Sequence, residues 1–393
     1  MTATEEILSS LLADEAAAIT PQSLRPLRGP VNGNGKHRPL AVMASAASVL
    51  LIIGLVGVAR SFTSTATPFA NNGTAASPPR YYVEIDPNDN IIVQATATGH
   101  QTDVVTAPSE LHANSNADAA LAVSADGRTY VAAYNDWEDL RTTLFRFTVT
   151  GDGSVADFSM IKTRRLVGLS ELSLAVSPDG SQVALAGIPD KSRSVESSSG
   201  PPRLLVVNLM TGRLRTWGGL AGTGAADLIE DPSWLTAGTL RFLVAKCGGN
   251  RVVPYNAACE YSGPSGTLWT LRVPPGAAQL GSGRALVRLP GVTVQAQSVG
   301  TDNVIALQLL RAGGIRLAEY AVPTGRLLRI LYRGKGDWKS NFFYAGLTAD
   351  GSGKYLLINE DLGTFFGWIG GGQFHKLPIH APFGNDEANA ATW

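Results

Sequence analysis

The stretch that decides the fold is Leu174-Ala-Val-Ser177-Pro178-Asp179-Gly180-Ser-Gln-Val183-Ala-Leu-Ala186, in which two apolar segments flank an Asp-Gly pair. Asp-Gly is typical of a tight hairpin turn because both residues accept positive φ, which matches the twist of paired strands. The phrase recurs at Leu121 to Ala133 and at Gly346 to Ile358, with weaker copies at 231–245 and 299–310. The unit therefore returns about every 50 residues, the period of a four-stranded propeller blade.

A second turn signal, Thr-Gly, follows a later strand of the same units, at Thr211-Gly212 and at Thr324-Gly325. Both hairpins then belong to one four-stranded antiparallel meander. The order of the signals predicts six blades, at 80–110, 111–167, 168–220, 221–291, 292–338 and 339–380.

The first blade has room for three strands, and Ala388 to Trp393 takes the place of its innermost strand. We therefore predict an all-β, six-bladed β-propeller ectodomain over 80–393, with its ring closed by the C-terminal strand. Closure of this kind leaves no open sheet edge at the seam.

Ser177 to Gly180 reads Ser-Pro-Asp-Gly, the turn that TolB-type, WD40-like six-bladed propellers carry between the first two strands of a blade. Over about residues 80–393 the chain resembles that family. With its leader and the Pro-Pro-Arg-Tyr-Tyr start at Pro78 it looks like the single-pass, propeller-bearing membrane proteins of actinobacteria. The resemblance implies the fold and no particular activity, since propellers host binding, scaffolding and catalysis alike. The chain departs from the pattern at Asp126-Gly127, which lacks the proline, and at Thr236-Ala-Gly238.

The composition bounds the class of partner. The chain has 393 residues, 44% of them hydrophobic, and Lys plus Arg equals Asp plus Glu at 32 each. Without an excess of positive charge, nucleic acid and other polyanions are excluded as expected partners.

One segment, Pro39 to Ala59, contains no charged residue and is long enough to cross the ~30 Å hydrocarbon core as a helix. Four basic residues precede it, and Arg60 is the sole basic residue between it and Arg80. This asymmetry predicts a cytoplasmic N-terminus and an extracytoplasmic propeller, joined through a flexible linker at 60–79. A cleaved signal peptide is the alternative, but a 38-residue leader favours an uncleaved signal anchor in the plasma membrane.

The cytoplasmic tail, residues 1–38, begins with a short amphipathic helix that Thr2 and Glu5 cap. Apolar residues from Ile7 to Ile19 fall near one side of it. This helix is either a fraying tail or a docking segment, over residues 3–19, for a cytoplasmic partner.

Cys247 and Cys259 lie close together in a segment predicted to be extracytoplasmic, where two thiols of one loop usually pair as a disulfide. Two unpaired thiols are the alternative. A zinc site would need further Cys or His at ligand spacing, so no metal and no cofactor is predicted.

Candidate binding residues lie in the long connections between strands, where exposed tryptophans close to charged residues are common anchors: Asp136, Trp137, Trp217, Asp337 and Trp338. The alternative is that each tryptophan packs between blades. The sequence contains no His-Glu-x-x-His and no Gly-x-Ser-x-Gly motif, so no catalytic residue is assigned.

These observations favour a binding or scaffolding module for a protein or cell-envelope ligand, held outside the membrane. A transmembrane sensor that signals through the N-terminal helix is one alternative. A propeller enzyme, lactonase- or quinoprotein-like, is another, and it would need acids and histidines converging on the central channel.

Overall fold

The computed structural model describes residues 78–86, 88–106, 119–136, 139–163, 166–189, 202–217, 227–246, 266–274, 280, 283–310, 314–334, 345–350, 353–360, 363–370, 373–377 and 391–393. They belong to the second of two units into which the chain divides, Met1–Ala75 and Ala76–Trp393. No helix in the described part is long and apolar enough for a membrane crossing. The predicted span at 39–59, the tail at 1–38 and most of the linker are outside the described residues.

The described strands form six four-stranded antiparallel sheets, which confirms the predicted six-bladed propeller. Blade 1 contains β1 (Tyr81–Ile85), β2 (Ile91–Ala95), β3 (Gln101–Val105) and β24 (Ala391–Thr392). Blade 2 contains β4 (Ala119–Val123), β5 (Thr129–Asp136), β6 (Arg141–Val149) and β7 (Val155–Met160). Blade 3 contains β8 (Leu169–Val176), β9 (Gln182–Pro189), β10 (Arg203–Asn208) and β11 (Leu214–Thr216).

Blade 4 contains β12 (Asp227–Thr236), β13 (Thr239–Lys246), β14 (Thr267–Arg272) and β15 (Gly283–Arg288). Blade 5 contains β16 (Val292–Val299), β17 (Asn303–Leu309), β18 (Ile315–Ala321) and β19 (Arg326–Gly334). Blade 6 contains β20 (Ala345–Ala349), β21 (Tyr355–Glu360), β22 (Gly363–Trp368) and β23 (Gln373–Lys376). Every blade lies within its predicted bounds.

The core consists of layers between neighbouring blades. Six hydrophobic clusters of the described residues correspond to the six interfaces between successive blades. The second strand of a blade is covered on both sides by these layers, so that β5 is buried along its whole length. A strand buried on both faces reads as a near-continuous apolar run, which explains why the repeat was visible in the sequence.

The ring closes through the C-terminus, as predicted. β24 pairs antiparallel with β1, with Thr392 opposite Val83 and Ala391 opposite Glu84. Trp393 is 1% exposed in the cluster between blades 6 and 1, with its ring centroid 6.4 Å from that of Tyr355. The seam is therefore a packed interface like the other five.

Strand order gives the propeller two distinct faces. The innermost strands (β4, β8, β12, β16, β20 and β24) all end at one face, which we call the turn face because the hairpins that follow β4, β8, β12, β16 and β20 lie there. The chain enters β1 at this face, and Trp393 ends there. The opposite face, the connection face, receives the links between blades.

The predicted Asp-Gly turns are present in blades 2 and 3, where Gly127 and Gly180 have φ of 68° and 65°. In each turn a serine hydroxyl accepts a hydrogen bond from the backbone N–H of the residue five positions later. The Thr129 N–H donates to the Ser124 hydroxyl at 3.2 Å in blade 2. The Gln182 N–H donates to the Ser177 hydroxyl at 2.9 Å in blade 3. In blade 6 Asp350 occupies the place of that serine, because its Oδ1 accepts the Tyr355 N–H at 2.7 Å. The sequence alignment of Asp350 with the Asp of the other turns was therefore wrong by two positions.

Candidate functional site

A cavity of about 310 Å³ occupies the centre of the ring where the innermost strands reach the turn face. All six innermost strands or the turns that follow them contribute to its lining, from Leu121 of β4 round to Thr392 of β24. The volume is at the lower end of the range for small-molecule sites, about 300–1,000 Å³. The cavity therefore suits a small ligand or one projecting group of a larger ligand.

The lining is almost free of ionisable groups. Its apolar part includes Leu121, Leu174, Trp234 and Leu235, and its polar uncharged part consists of Ser233, Gln297, Ser298, Thr301, Thr348 and Thr392. Among the described residues of the lining, Asp350 has the single ionisable side chain. Its Oδ1 accepts the backbone N–H groups of Lys354 and Tyr355, both at 2.7 Å, so this oxygen holds the turn in shape.

Hydrogen bonds between blades fix the wall of the cavity. The Trp234 Nε1–H donates to the Ala175 carbonyl at 3.0 Å and so ties blade 4 to blade 3. The Ser233 hydroxyl donates to the Ser298 hydroxyl at 2.9 Å and ties blade 4 to blade 5. A wall fixed in this way is preorganised, which reduces the free-energy cost of ordering side chains when a ligand binds.

Further from the turn face, three successive innermost strands contain irregular pairing, in β8, β12 and β16. Next to each irregularity a side chain accepts an N–H from the following blade. Ser173 accepts from Asp231 at 3.2 Å, Asp231 Oδ2 accepts from Ala296 at 2.8 Å, and Gln295 accepts from Leu347. A β-bulge redirects side chains locally, and here the redirected groups align one blade with the next.

Two buried acids have unusual titration behaviour. Burial raises the pKa of Asp231 to about 7, although the Ala296 N–H bond works in the opposite direction. Burial also raises the pKa of Glu84 to about 7, with the Gln94 hydrogen bond lowering it and the nearby charge of Asp86 raising it.

Neither acid belongs to the cavity lining. Asp231 accepts a bond between blades 4 and 5, and Glu84 accepts a hydrogen bond from Gln94 within blade 1. A raised pKa can also mark a functional group, but here the contacts are those of structural residues. Within the described residues, no group of three His, Cys, Asp or Glu could hold a metal ion.

Of the predicted binding residues, the structure describes Asp136 and Trp217, and both are buried. Asp136 is at the end of β5, where its Oδ1 accepts the Asp139 N–H at 3.1 Å. Trp217 is 8% exposed between blades 3 and 4, with its ring centroid 5.2 Å from that of Phe242. For Trp217 this is the packing position that the sequence left open as the alternative.

The remaining predicted residues, Trp137, Asp337, Trp338, Cys247 and Cys259, lie outside the described part of the chain. The strands that precede the predicted residues, β5, β11, β13 and β19, all end at the connection face. The structure thus does not bring Asp136 or Trp217 to the cavity, which opens at the turn face. Sequence reasoning missed the cavity residues, whose shared signal is their position at the end of each innermost strand.

No protein-family model and no curated protein matches the sequence. Among solved structures, the chain is similar to the tricorn protease, with 11% identity, 79% of this chain and 30% of that chain covered, and a TM-score of 0.45. It is similar to a prolyl endopeptidase, with 13% identity, 81% of this chain and 50% of that chain covered, and a TM-score of 0.42. It is also similar to a putative 6-phosphogluconolactonase from Bacteroides uniformis ATCC 8492, with 12% identity, 79% of this chain and 99% of that chain covered, and a TM-score of 0.43.

The chain spans about a third of the tricorn protease chain and half of the endopeptidase chain that it matches. At such low identity these likenesses carry no assignment of activity. The functional argument therefore rests on the residues of the cavity.

Proposed function

We propose that the protein is a non-catalytic binding module, a propeller held at the outer side of the plasma membrane by the predicted span at 39–59. The observation that supports binding is the cavity of about 310 Å³ at the centre of the turn face, with a fixed wall. Its ligand is a component of the cell envelope, either a molecule small enough to enter or a protein that inserts one group.

The chemistry of the lining favours binding over catalysis. A lactonase- or quinoprotein-like propeller needs acids and histidines that converge on the channel to move protons or to hold an ion. The described lining contributes one acid, Asp350, and one of its oxygens accepts hydrogen bonds from two backbone N–H groups. The described lining contains no histidine or lysine to activate its serine and threonine hydroxyls, which are weak nucleophiles on their own, so we assign them as hydrogen-bonding groups.

The membrane topology in this proposal rests on the charge asymmetry around Pro39 to Ala59. Protease added to intact spheroplasts should digest the propeller and spare the tail. Protection of the propeller would contradict both the orientation and the proposed disulfide between Cys247 and Cys259. Mass spectrometry of non-reduced peptides should find these two cysteines joined, and full alkylation without reductant would refute the bridge.

Transmembrane signalling is a second candidate, supported by the apolar side of the N-terminal helix at residues 3–19. Crosslinking of this tail in cells should capture a cytoplasmic partner if the protein signals. A tail that crosslinks to nothing leaves anchoring as its role.

Binding itself is tested with the full-length protein in detergent, immobilised and exposed to envelope extracts. A component retained by the wild-type protein and displaced by excess soluble wild-type protein supports the proposal. Absence of any specifically retained component from protein, glycan and lipid fractions would refute it.

A further inference from the structure

We propose that the cavity at the turn face binds a neutral saccharide unit, with Gln297 and the exposed Thr301, both residues of its lining, as hydrogen-bonding residues. This inference rests on the proposed binding function and narrows it to one ligand class and one location.

The charge of the lining excludes ionic ligands. An ion taken out of water loses hydration free energy that only an opposite charge or several hydrogen bonds can offset. The described lining has no Lys, Arg or His to pair with an anion, and Asp350 repels one. A cation would find a single carboxylate, which already accepts two N–H bonds through Oδ1. The preferred ligand is therefore uncharged.

The polar groups exclude a purely apolar ligand. Gln297 lines the cavity, and its side-chain amide makes no hydrogen bond to another described residue. The hydroxyl pair of Ser233 and Ser298 has further capacity to donate and accept. A hydrocarbon chain would bury the Gln297 amide without a partner, at a cost in free energy, whereas a ligand with several hydroxyls satisfies this amide and the remaining capacity of the serine pair.

The apolar groups complete the match. Trp234, Leu121, Leu174 and Leu235 supply apolar surface beside the polar groups, and the indole is held in place by its bond to the Ala175 carbonyl. A saccharide ring has hydroxyl groups at its rim and C–H groups on its faces, so that it fits a lining of this mixed character. The volume, about 310 Å³, corresponds to about ten water molecules at roughly 30 Å³ each, which suits one or two sugar rings.

The location agrees with this ligand class. Glycans are abundant in cell envelopes, and the cavity belongs to a domain that we place outside the membrane. A neutral peptide loop is the competing occupant, because amide groups also match Gln297. A peptide occupant would leave the oligosaccharides unbound while a protein is retained from the envelope extracts.

The test uses full-length protein in detergent and isothermal titration with three sets of oligosaccharides: neutral, acidic and amino-substituted. At least one neutral saccharide should bind with a Kd below 1 mM. Gln297→Leu, which keeps the side-chain volume and removes the amide, should weaken that binding about tenfold, the change expected when one buried hydrogen bond is lost. Thr301→Val, which removes a hydroxyl without changing shape, should act in the same direction.

Gln101→Leu is the matched control, because it makes the same change on the exposed outer strand β3. It should leave affinity unchanged, and all variants should keep the wild-type melting temperature. Absence of neutral saccharide binding at 10 mM, tighter binding of the acidic or amino set, or equal affinities for Gln297→Leu and wild type would each overturn the inference. If the saccharide titrations fail in one of these ways but the extracts still yield a specifically retained protein or lipid, the saccharide inference is refuted while the binding function stands.

Discussion

Replacing Trp393 by alanine should destabilise the whole propeller, although it is the last residue of the chain. Its side chain is 1% exposed between blades 6 and 1, with its ring centroid 6.0 Å from that of Phe366 and 6.4 Å from that of Tyr355. Truncation of a buried aromatic costs about 3–5 kcal/mol. A domain has a total stability of about 5–15 kcal/mol, so the loss is a large part of it. Ordinary chain ends tolerate such changes.

Trp393→Phe is the control, because it keeps an aromatic ring at this position and removes the indole N–H. The indole Nε1 is buried with no hydrogen-bond partner among the described residues, so phenylalanine loses packing volume but no hydrogen bond. We expect Trp393→Ala to lower the melting temperature of the full-length protein by roughly 5–10 °C and Trp393→Phe by much less. Calorimetry or circular dichroism measures both. An unchanged midpoint for Trp393→Ala, or equal losses for the two variants, would refute the proposed role of this ring in closing the propeller.

Two further predictions concern stability. Because the pKa values of buried Glu84 and Asp231 are raised to about 7, the folded protein binds more protons than the unfolded chain above about pH 4.5, and stability should fall as pH rises towards 7. Glu84→Gln should remove the part of this pH dependence that Glu84 causes, about 3 kcal/mol of unfolding free energy at 1.36 kcal/mol per pKa unit. Urea unfolding of the variant and the wild type between pH 5 and 8 measures it, and the same pH dependence in both would contradict the prediction. Gly212→Ala should destabilise the protein much more than Gly127→Ala, although both residues have positive φ. A Cβ added at Gly212 would lie 1.9 Å from the Lys162 carbonyl oxygen, whereas a Cβ added at Gly127 meets nothing within 4 Å. Equal melting temperatures for the two variants would show that the close contact has no effect.

The blade count could be predicted because its signals are local. The turn at Asp179-Gly180 and the apolar strands beside it lie within a few residues of each other, and the burial of β9 on both faces imposes a continuous apolar run. The closing strand followed from counting, since the first blade had room for three strands. Its pairing with β1 and the burial of Trp393 confirm that prediction.

The cavity could not be predicted in the same way. Its wall brings together Trp234, Gln297 and Asp350 from three blades, and no local pattern reports a convergence of residues so far apart in the chain. Bulges in the innermost strands also shift the alternation of side chains between the two faces of the sheet. Counting every second residue along β12 or β16 therefore assigns side chains beyond the bulge to the wrong face. Asp350 shows the same difficulty, because a carboxylate can accept the N–H that a serine accepts in the other blades.

The burial of Trp217, which the sequence offered as a binding residue, could not be predicted for a different reason. Trp217 lies beside charged residues in the sequence, which is a pattern of exposed anchors, but tertiary packing against Phe242 buries it. Burial of a side chain at the end of a short strand depends on the next blade, which a single sequence does not place. The roles of Trp137, Asp337 and Trp338 stay predictions.

The central claim is that the propeller binds its ligand without changing it. The most direct measurement incubates full-length protein with an envelope extract, isolates the bound compound after hours at 37 °C, and compares its mass with that of the compound in the untreated extract. The account predicts recovery of an unaltered compound at no more than one per chain, with no product in solution. A bound or released species with a changed mass, formed in amounts that exceed the protein, would show turnover and contradict the account.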